Sequence, residues 1–178
     1  MGKITSGAKA GLIGGMLSGV MAGSINYMQM TLFKEEYLKM MRETLREVIN
    51  KAGGQLPSGM SLEQLVELSY NIGKIWGSIG AMVIFLIIGV IAGIVYALVY
   101  GKLPTKSPIF KALIVTLTIY VIWTIISNVF ALRIGVSSFR AMPQTFMVIG
   151  YVLGFVEYCI LGLVIGALHY KWYIRTAE

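Results

Sequence analysis

Four long stretches of the chain carry no charged residue, apart from one glutamate in the last of them. They lie between Lys9 and Lys34, Lys74 and Lys102, Lys111 and Arg133, and Arg140 and Lys171. A helix needs about 20 mostly apolar residues to cross the roughly 30 Å of hydrocarbon in a bilayer. The pattern therefore predicts an all-α polytopic membrane protein, a single membrane domain over 1–178, with transmembrane helices at 10–32, 75–100, 112–132 and 142–169.

Between the first two stretches lies a charged segment, 33–74, with helical periodicity. Its apolar residues recur on one helical face, at Phe33, Tyr37, Leu38, Met41, Leu45, Val48 and Ile49. Gly53 and Gly54 are expected to end this helix, and Ser61 with Gln64 has the form of a capping box that begins another. The segment is predicted to be an extramembrane helical hairpin. It would serve as a packed connection, as a docking surface for a partner, or as a helix on the membrane surface.

Glycine recurs at every fourth position of the first apolar stretch, at Gly7, Gly11, Gly15, Gly19 and Gly23. Small residues let helix backbones approach closely in lipid. Four residues turn a helix by about 400°, so the stripe drifts by about 40° per step. We therefore expect that one straight partner cannot touch all five glycines, and that this helix is central, with at least two close neighbours.

The same small-residue spacing recurs in two of the other apolar stretches. The pairs are Gly89 with Gly93, Gly150 with Gly154, and Gly162 with Gly166. Residues 112–132 contain no glycine, so this helix is predicted to lie at the edge of the bundle. These glycine faces are expected to pack within the chain or against another subunit.

Glu157 lies near the middle of the last apolar stretch and shares a helical face with Gly150 and Gly154. A carboxylate at such a depth is costly when charged, and it is a candidate functional residue. Hydroxyl groups expected at a similar depth belong to Ser18, Tyr120 and Thr124. Two interpretations stay open: a protonated or hydrogen-bonded glutamate that joins helices or subunits, and a relay for protons or cations.

Polar side chains are expected to form a collar at the end of the bundle nearest the hairpin. They are Asn26, Gln29, Ser78, Ser127, Asn128 and Gln144. Amides at this level would hydrogen-bond between helices or line a small vestibule. Aromatic residues near the ends of the apolar stretches, such as Tyr96, Tyr100 and Tyr173, are predicted to belong to interfacial belts.

The composition supports a membrane environment. The chain is 57% hydrophobic and 13% charged, with a mean hydropathy of +0.77, whereas soluble domains have about 25% charged residues. Its net charge of +7 comes from basic residues near the ends of apolar stretches, which favours lipid headgroups over nucleic acid as partners. The loop GKLPTKSPIFK is basic and has no acidic residue. It favours a multi-pass protein of the cell membrane with both termini in the cytoplasm.

The sequence offers little for catalysis. It has no aspartate, one cysteine (Cys159) and one histidine (His169), which is predicted to lie at the membrane interface. We therefore expect no enzyme activity, no cofactor and no metal site. The expected function is that of an accessory, scaffolding or assembly subunit of a membrane complex, or of a homo-oligomer. The alternative is a small channel or a proton- or cation-coupled transporter that uses Glu157.

Overall fold

The computed structural model describes residues 2–51, 53, 56, 59–134 and 144–174, and these residues form helices joined by short connections, with no strand among them. Arg140 and the other residues of 135–143 lie outside this part, as do residues 175–178. The helices are α1 (Lys3–Leu32), α2 (Lys34–Lys51), α3 (Leu62–Val99), α4 (Pro108–Ile134) and α5 (Gln144–His169). A 3₁₀ turn at Tyr100–Lys102 follows α3, and a π-helical turn at Tyr170–Ile174 follows α5.

Four helices are long and apolar enough to cross a membrane, which confirms that part of the prediction. They are Lys3–Leu32, Leu62–Lys102, Pro108–Val129 and Thr145–Tyr173. Helices α1, α3 and α4 begin before the predicted bounds, because charged residues near a helix end do not interrupt the backbone hydrogen bonds. The clearest case is α3, whose 38 residues give a length of about 57 Å.

The closest packing in the molecule joins α1 to α3, which run antiparallel. A Cβ built on Gly15 would lie 2.6 Å from the carbonyl oxygen of Phe85, and one on Gly23 would lie 2.7 Å from that of Ser78. The five glycines of α1 meet, in order, Gly93, Gly89, Phe85, Met82 and Ser78 of α3. No larger residue fits at these positions, because the neighbouring atoms belong to backbone and cannot rotate away.

All five glycines thus contact a single helix, which the expectation about a straight partner did not anticipate. It treated the partner as a straight rod, whereas α3 follows the stripe around α1 for its whole length. A stripe whose period exceeds 3.6 residues winds right-handed around its helix, and a neighbour crossing or coiling in the same sense stays in contact with it. The expectation of two close neighbours agrees with the structure. A second face of α1, which contains Gly14, packs against α5, where a Cβ on Gly14 would lie 3.1 Å from Leu161.

Helix α4 lies at the edge of the bundle, as its lack of glycine suggested, and packs mainly against α5. Here α5 supplies the small residues. A Cβ on Gly166 would lie 2.7 Å from the Cα of Ile109, and one on Gly162 would lie 2.5 Å from the hydroxyl of Thr116. The outer side of α4 is exposed and apolar.

Helix α2 packs along the first third of α3. The side chain of Met41 lies over Gly73, and the buried Tyr70 donates a hydrogen bond of 2.6 Å to the carbonyl of Met30 in α1. Arg42 makes two hydrogen bonds to the carboxylate of Glu63, at 2.9 and 2.8 Å. The capping box of Ser61 and Gln64 is present at the start of α3, as predicted.

The α1–α3 contact can be tested by substituting alanine for glycine. Gly11→Ala places a methyl group against the carbonyl of Gly89, and we expect a loss of about 1–3 kcal/mol, the usual cost of overpacking. Gly80→Ala in α3 is the matched control, because a Cβ there meets nothing within 4 Å and gains about 1 kcal/mol of helix propensity. Denaturant titration of the purified chain in detergent, followed by circular dichroism, measures both. Equal stability of the two variants would contradict the contact.

The α2–α3 contact predicts a contrast between two lysine substitutions on α2. Met41→Lys puts a charge where Met41 covers Gly73, whereas Val48→Lys adds the same charge at an exposed position. We expect the first variant to expose the amides of α2 to hydrogen exchange at least about tenfold faster, since a loss of 1.4 kcal/mol corresponds to that factor. The second should exchange like the unmodified chain. Equal exchange in both variants would show that this face of α2 is not packed.

Candidate functional site

A cavity of about 370 Å³ opens where the helices of the bundle spread apart. At the end near Pro108 the helices are close, and Tyr96 of α3 donates a hydrogen bond of 2.9 Å to the carbonyl of Pro108 in α4. Along α5 toward α2 the contact with α4 loosens. A Cβ on Gly154 would lie 3.2 Å from Tyr120, and one on Gly150 would meet nothing within 4 Å. Side chains of α3, α4 and α5 therefore line a space rather than a packed interface.

Glu157 borders this cavity and also a smaller one of about 190 Å³ that lies toward α1. Glu157 is only 7% exposed, and its side chain has no hydrogen-bond partner among the described residues. The neighbouring hydroxyl of Tyr158 also lines the larger cavity and is buried without a partner in this part of the chain. Buried polar atoms in proteins are nearly always hydrogen-bonded, so the hydroxyl of Tyr158 indicates a place for water or a ligand, and the carboxyl group of Glu157 borders the same space.

The structure brings two of the three predicted hydroxyl partners to the cavity of Glu157. Tyr120 lines it and donates a hydrogen bond of 2.8 Å to the carbonyl of Tyr151. Thr124 lines it one turn farther along α4. Ser18 is fully buried on α1 without a described partner, and it lines neither cavity.

The predicted polar collar separates into two parts. Asn26 donates a hydrogen bond of 3.1 Å to Ser78, which ties α1 to α3. Gln29 lines both cavities, and Ser127 and Asn128 line the larger one. Asn128 accepts a hydrogen bond of 2.9 Å from the hydroxyl of Tyr151. The side chain of Gln144 lies outside the described part of the structure.

Aromatic rings form much of the cavity wall, a feature that the sequence analysis missed. The ring of Tyr158 lies 5.3 Å from that of Phe85 and 5.3 Å from that of Tyr120. At the end of the cavity near α2, the ring of Phe146 lies 5.6 Å from that of Tyr37. Burial raises the pKa of the Tyr37 hydroxyl above its ordinary value, so this group stays protonated. The sequence signal for the inner cluster is the adjacency of Tyr158 to Glu157.

A second buried cluster surrounds His169 at the opposite end of the bundle. His169 is fully buried within the protein against Tyr96, Tyr100 and Tyr173, with ring centroids 5.1, 5.9 and 5.3 Å away; its depth at the membrane interface stays a prediction. The three tyrosines, which the sequence predicted to belong to interfacial aromatic belts, surround the ring of His169. In the described ranges, no three His, Cys, Asp or Glu side chains lie close enough together to hold a metal ion.

Comparison with known proteins finds no family model, no curated protein and no solved structure that matches this chain. The chemistry of the cavity therefore has to be inferred from its own residues. Those residues supply one carboxylate, several aromatic faces and a few hydroxyl and amide groups. This set is suited to binding a positively charged species, since its one carboxyl group is faced by no basic side chain among the described lining residues.

The cavity predicts that Glu157 is open to a small apolar reagent. Dicyclohexylcarbodiimide modifies protonated carboxyl groups in apolar surroundings, and we expect it to label Glu157 in the purified chain. Gly150→Leu should lower this labelling about tenfold or more, because the new side chain enters open space in the cavity that Glu157 also lines and meets no clash. Peptide mass spectrometry quantifies the label, and Gly80→Leu on the outer surface is the control. Labelling that is equal in all three proteins would show that the cavity does not lead to Glu157.

Proposed function

We propose that this chain is a multi-pass integral membrane protein that carries protons or other cations through a site at Glu157. In this proposal α1, α3, α4 and α5 cross the bilayer. Large apolar side chains on their outer sides support it, including Leu17 (55% exposed), Ile126 (54%) and Val152 (57%). Such a surface is unfavourable in water and matches the interior of a bilayer.

In the same arrangement α2 and the start of α3 form a helical hairpin outside the bilayer. The ion pair of Arg42 and Glu63 supports this placement, because both side chains are exposed and charged. An even number of crossings puts the two termini on one side of the membrane. Lys102 and Lys106 in the connection between α3 and α4, together with Lys111 in the first turn of α4, favour the cytoplasm for that side.

The observation that carries the function is the position of Glu157 beside open space. A glutamate that only joins helices would be hydrogen-bonded across a packed interface. Glu157 instead has no described partner and borders two cavities, one of which reaches the polar groups of Gln29 and Asn128. A carboxyl group so placed can exchange a proton or a cation with the cavity.

The second candidate function is that of an accessory, scaffolding or assembly subunit, or of a homo-oligomer. Gly80 on α3 favours it, since a Cβ there meets nothing within 4 Å and a neighbouring helix can approach closely. Fewer glycines are free for assembly than the glycine content suggested, because Gly11, Gly89, Gly162 and Gly166 all make contacts within the chain. Assembly would have to use the outer apolar faces.

Ion flux through the reconstituted chain tests the transport proposal. The purified chain is placed in liposomes with a pH-sensitive dye inside, and a potassium gradient with valinomycin drives cations inward. We expect acidification that Glu157→Gln lowers by about tenfold or more, because the amide cannot take up the proton. Glu67→Gln, at an exposed position of α3, removes the same charge and should leave the flux unchanged.

Two other results would contradict the transport proposal as stated. Flux that is absent from the unmodified chain, combined with a smaller particle in gentle detergent for Gly80→Leu, would favour assembly. Flux that is equal in Glu157→Gln and in the unmodified chain would remove Glu157 from the transport path.

A further inference from the structure

We propose that the larger cavity binds a lipophilic organic cation, an ammonium or phosphonium ion with aromatic or branched alkyl groups, with its charge beside Glu157. This inference rests on the proposed function, and it names the class of cation that the site takes.

The size of the cavity suits an organic molecule. Sites for drug-sized ligands occupy about 300–1,000 Å³, and this cavity has about 370 Å³. A bare metal cation would need several oxygen ligands converging on one point. Glu157 is the only carboxylate among the described lining residues, so a large, weakly hydrated cation fits the space better than a small, strongly hydrated one.

The charge of the wall selects a cation. No lysine, arginine or histidine is among the described residues that line either cavity. An anion would meet Glu157 with no positive group to offset it, and a neutral apolar molecule would leave the carboxyl group buried without a partner. A cation removes that penalty because it pairs with the carboxylate.

The aromatic wall provides the second attraction. The rings of Phe85, Tyr158 and Tyr120 form a continuous cluster, with neighbouring centroids 5.3 Å apart. Tyr158 is next to Glu157 in α5, and Tyr120 lines the same cavity from α4. Aromatic faces attract cations, and the attraction is larger for groups removed from water, as in the binding of quaternary ammonium ions.

The openings of the cavity fit a ligand that dissolves in the bilayer. Ile84 of α3 and Trp123 of α4 both line the cavity and are 43% and 46% exposed on the outer surface of the bundle. The cavity therefore opens sideways between these two helices. Its other end reaches Gln29 and Asn128. A lipophilic cation can enter from the hydrocarbon and reach the polar end without crossing a packed interface.

Binding of tetraphenylphosphonium to the full chain in nonionic detergent tests the proposal. An electrode selective for this ion measures its free concentration, and tetraphenylborate, of nearly the same shape and opposite charge, is the matched probe. We expect saturable binding of tetraphenylphosphonium that Glu157→Gln weakens by about tenfold or more, as expected when one ion pair is lost. Glu67→Gln should bind like the unmodified chain, and tetraphenylborate should not bind saturably.

A second variant keeps the test decisive if Glu157→Gln does not fold. Gly150→Leu fills the cavity and leaves Glu157 in place, and its fold is checked by size exclusion and thermal unfolding. We expect it to weaken tetraphenylphosphonium binding, while Gly80→Leu on the outer surface does not. Binding that is unchanged in folded Gly150→Leu, or equally tight binding of tetraphenylborate, would overturn the proposal.

The two proposals fail in different ways. Proton flux that depends on Glu157 without saturable tetraphenylphosphonium binding would overturn the lipophilic ligand and leave the proton carrier. Saturable binding that depends on Glu157 without flux of protons or tetraphenylphosphonium would support the ligand site and overturn transport.

Discussion

The direct contact between the backbones of α1 and α3 is the constraint on which the rest of the fold depends. Five glycines of α1 lie against consecutive turns of α3, and at Gly15 a single added carbon would come within 2.6 Å of a carbonyl oxygen. Lipid tails are as apolar as leucine, so close packing has to replace the hydrophobic effect as the attraction between helices in a bilayer. With α3 held on one face, the second small face of α1, around Gly14, is left to receive α5.

The cavity follows from where this close packing stops. Helix α5 packs closely against α4 at Gly166 and Gly162, whereas a Cβ on Gly150 would meet nothing within 4 Å and the two helices are joined there by hydrogen bonds of Tyr120, Tyr151 and Asn128. Large aromatic side chains then separate the helices instead of small ones drawing them together. A ring cannot fill the gap between diverging helices as completely as interlocking backbones do. The same helix thus has a packed half, which fixes its position, and an open half, in which Glu157 borders the cavity.

Much of the helical framework could be predicted from the sequence because uncharged length and glycine spacing are local properties. The four apolar helices and the capping box of Ser61 and Gln64 are examples. The partner of the glycine stripe could not be predicted, because the drift of the stripe around α1 was judged against a straight neighbouring helix.

For the site, the sequence predicted that Glu157 and Gly154 share a helical face. The cavity was not, because it depends on the angles between helices. The burial of His169 was missed because its tyrosine neighbours come from α3 and from the turn after α5.

Whether the fold favours assembly with another subunit or binding of a ligand depends on which surfaces make no contact within the folded chain. A glycine face that is already occupied cannot also hold another subunit, so Gly11 and Gly89 account for packing within the chain and carry no information about partners. Glu157 is the opposite case. The residue is 7% exposed, has no described hydrogen-bond partner and borders two cavities, so a bound proton or cation can offset the cost of a charge that is largely removed from water. In this chain the unsatisfied polar group, more than the abundant small residues, is what points toward function.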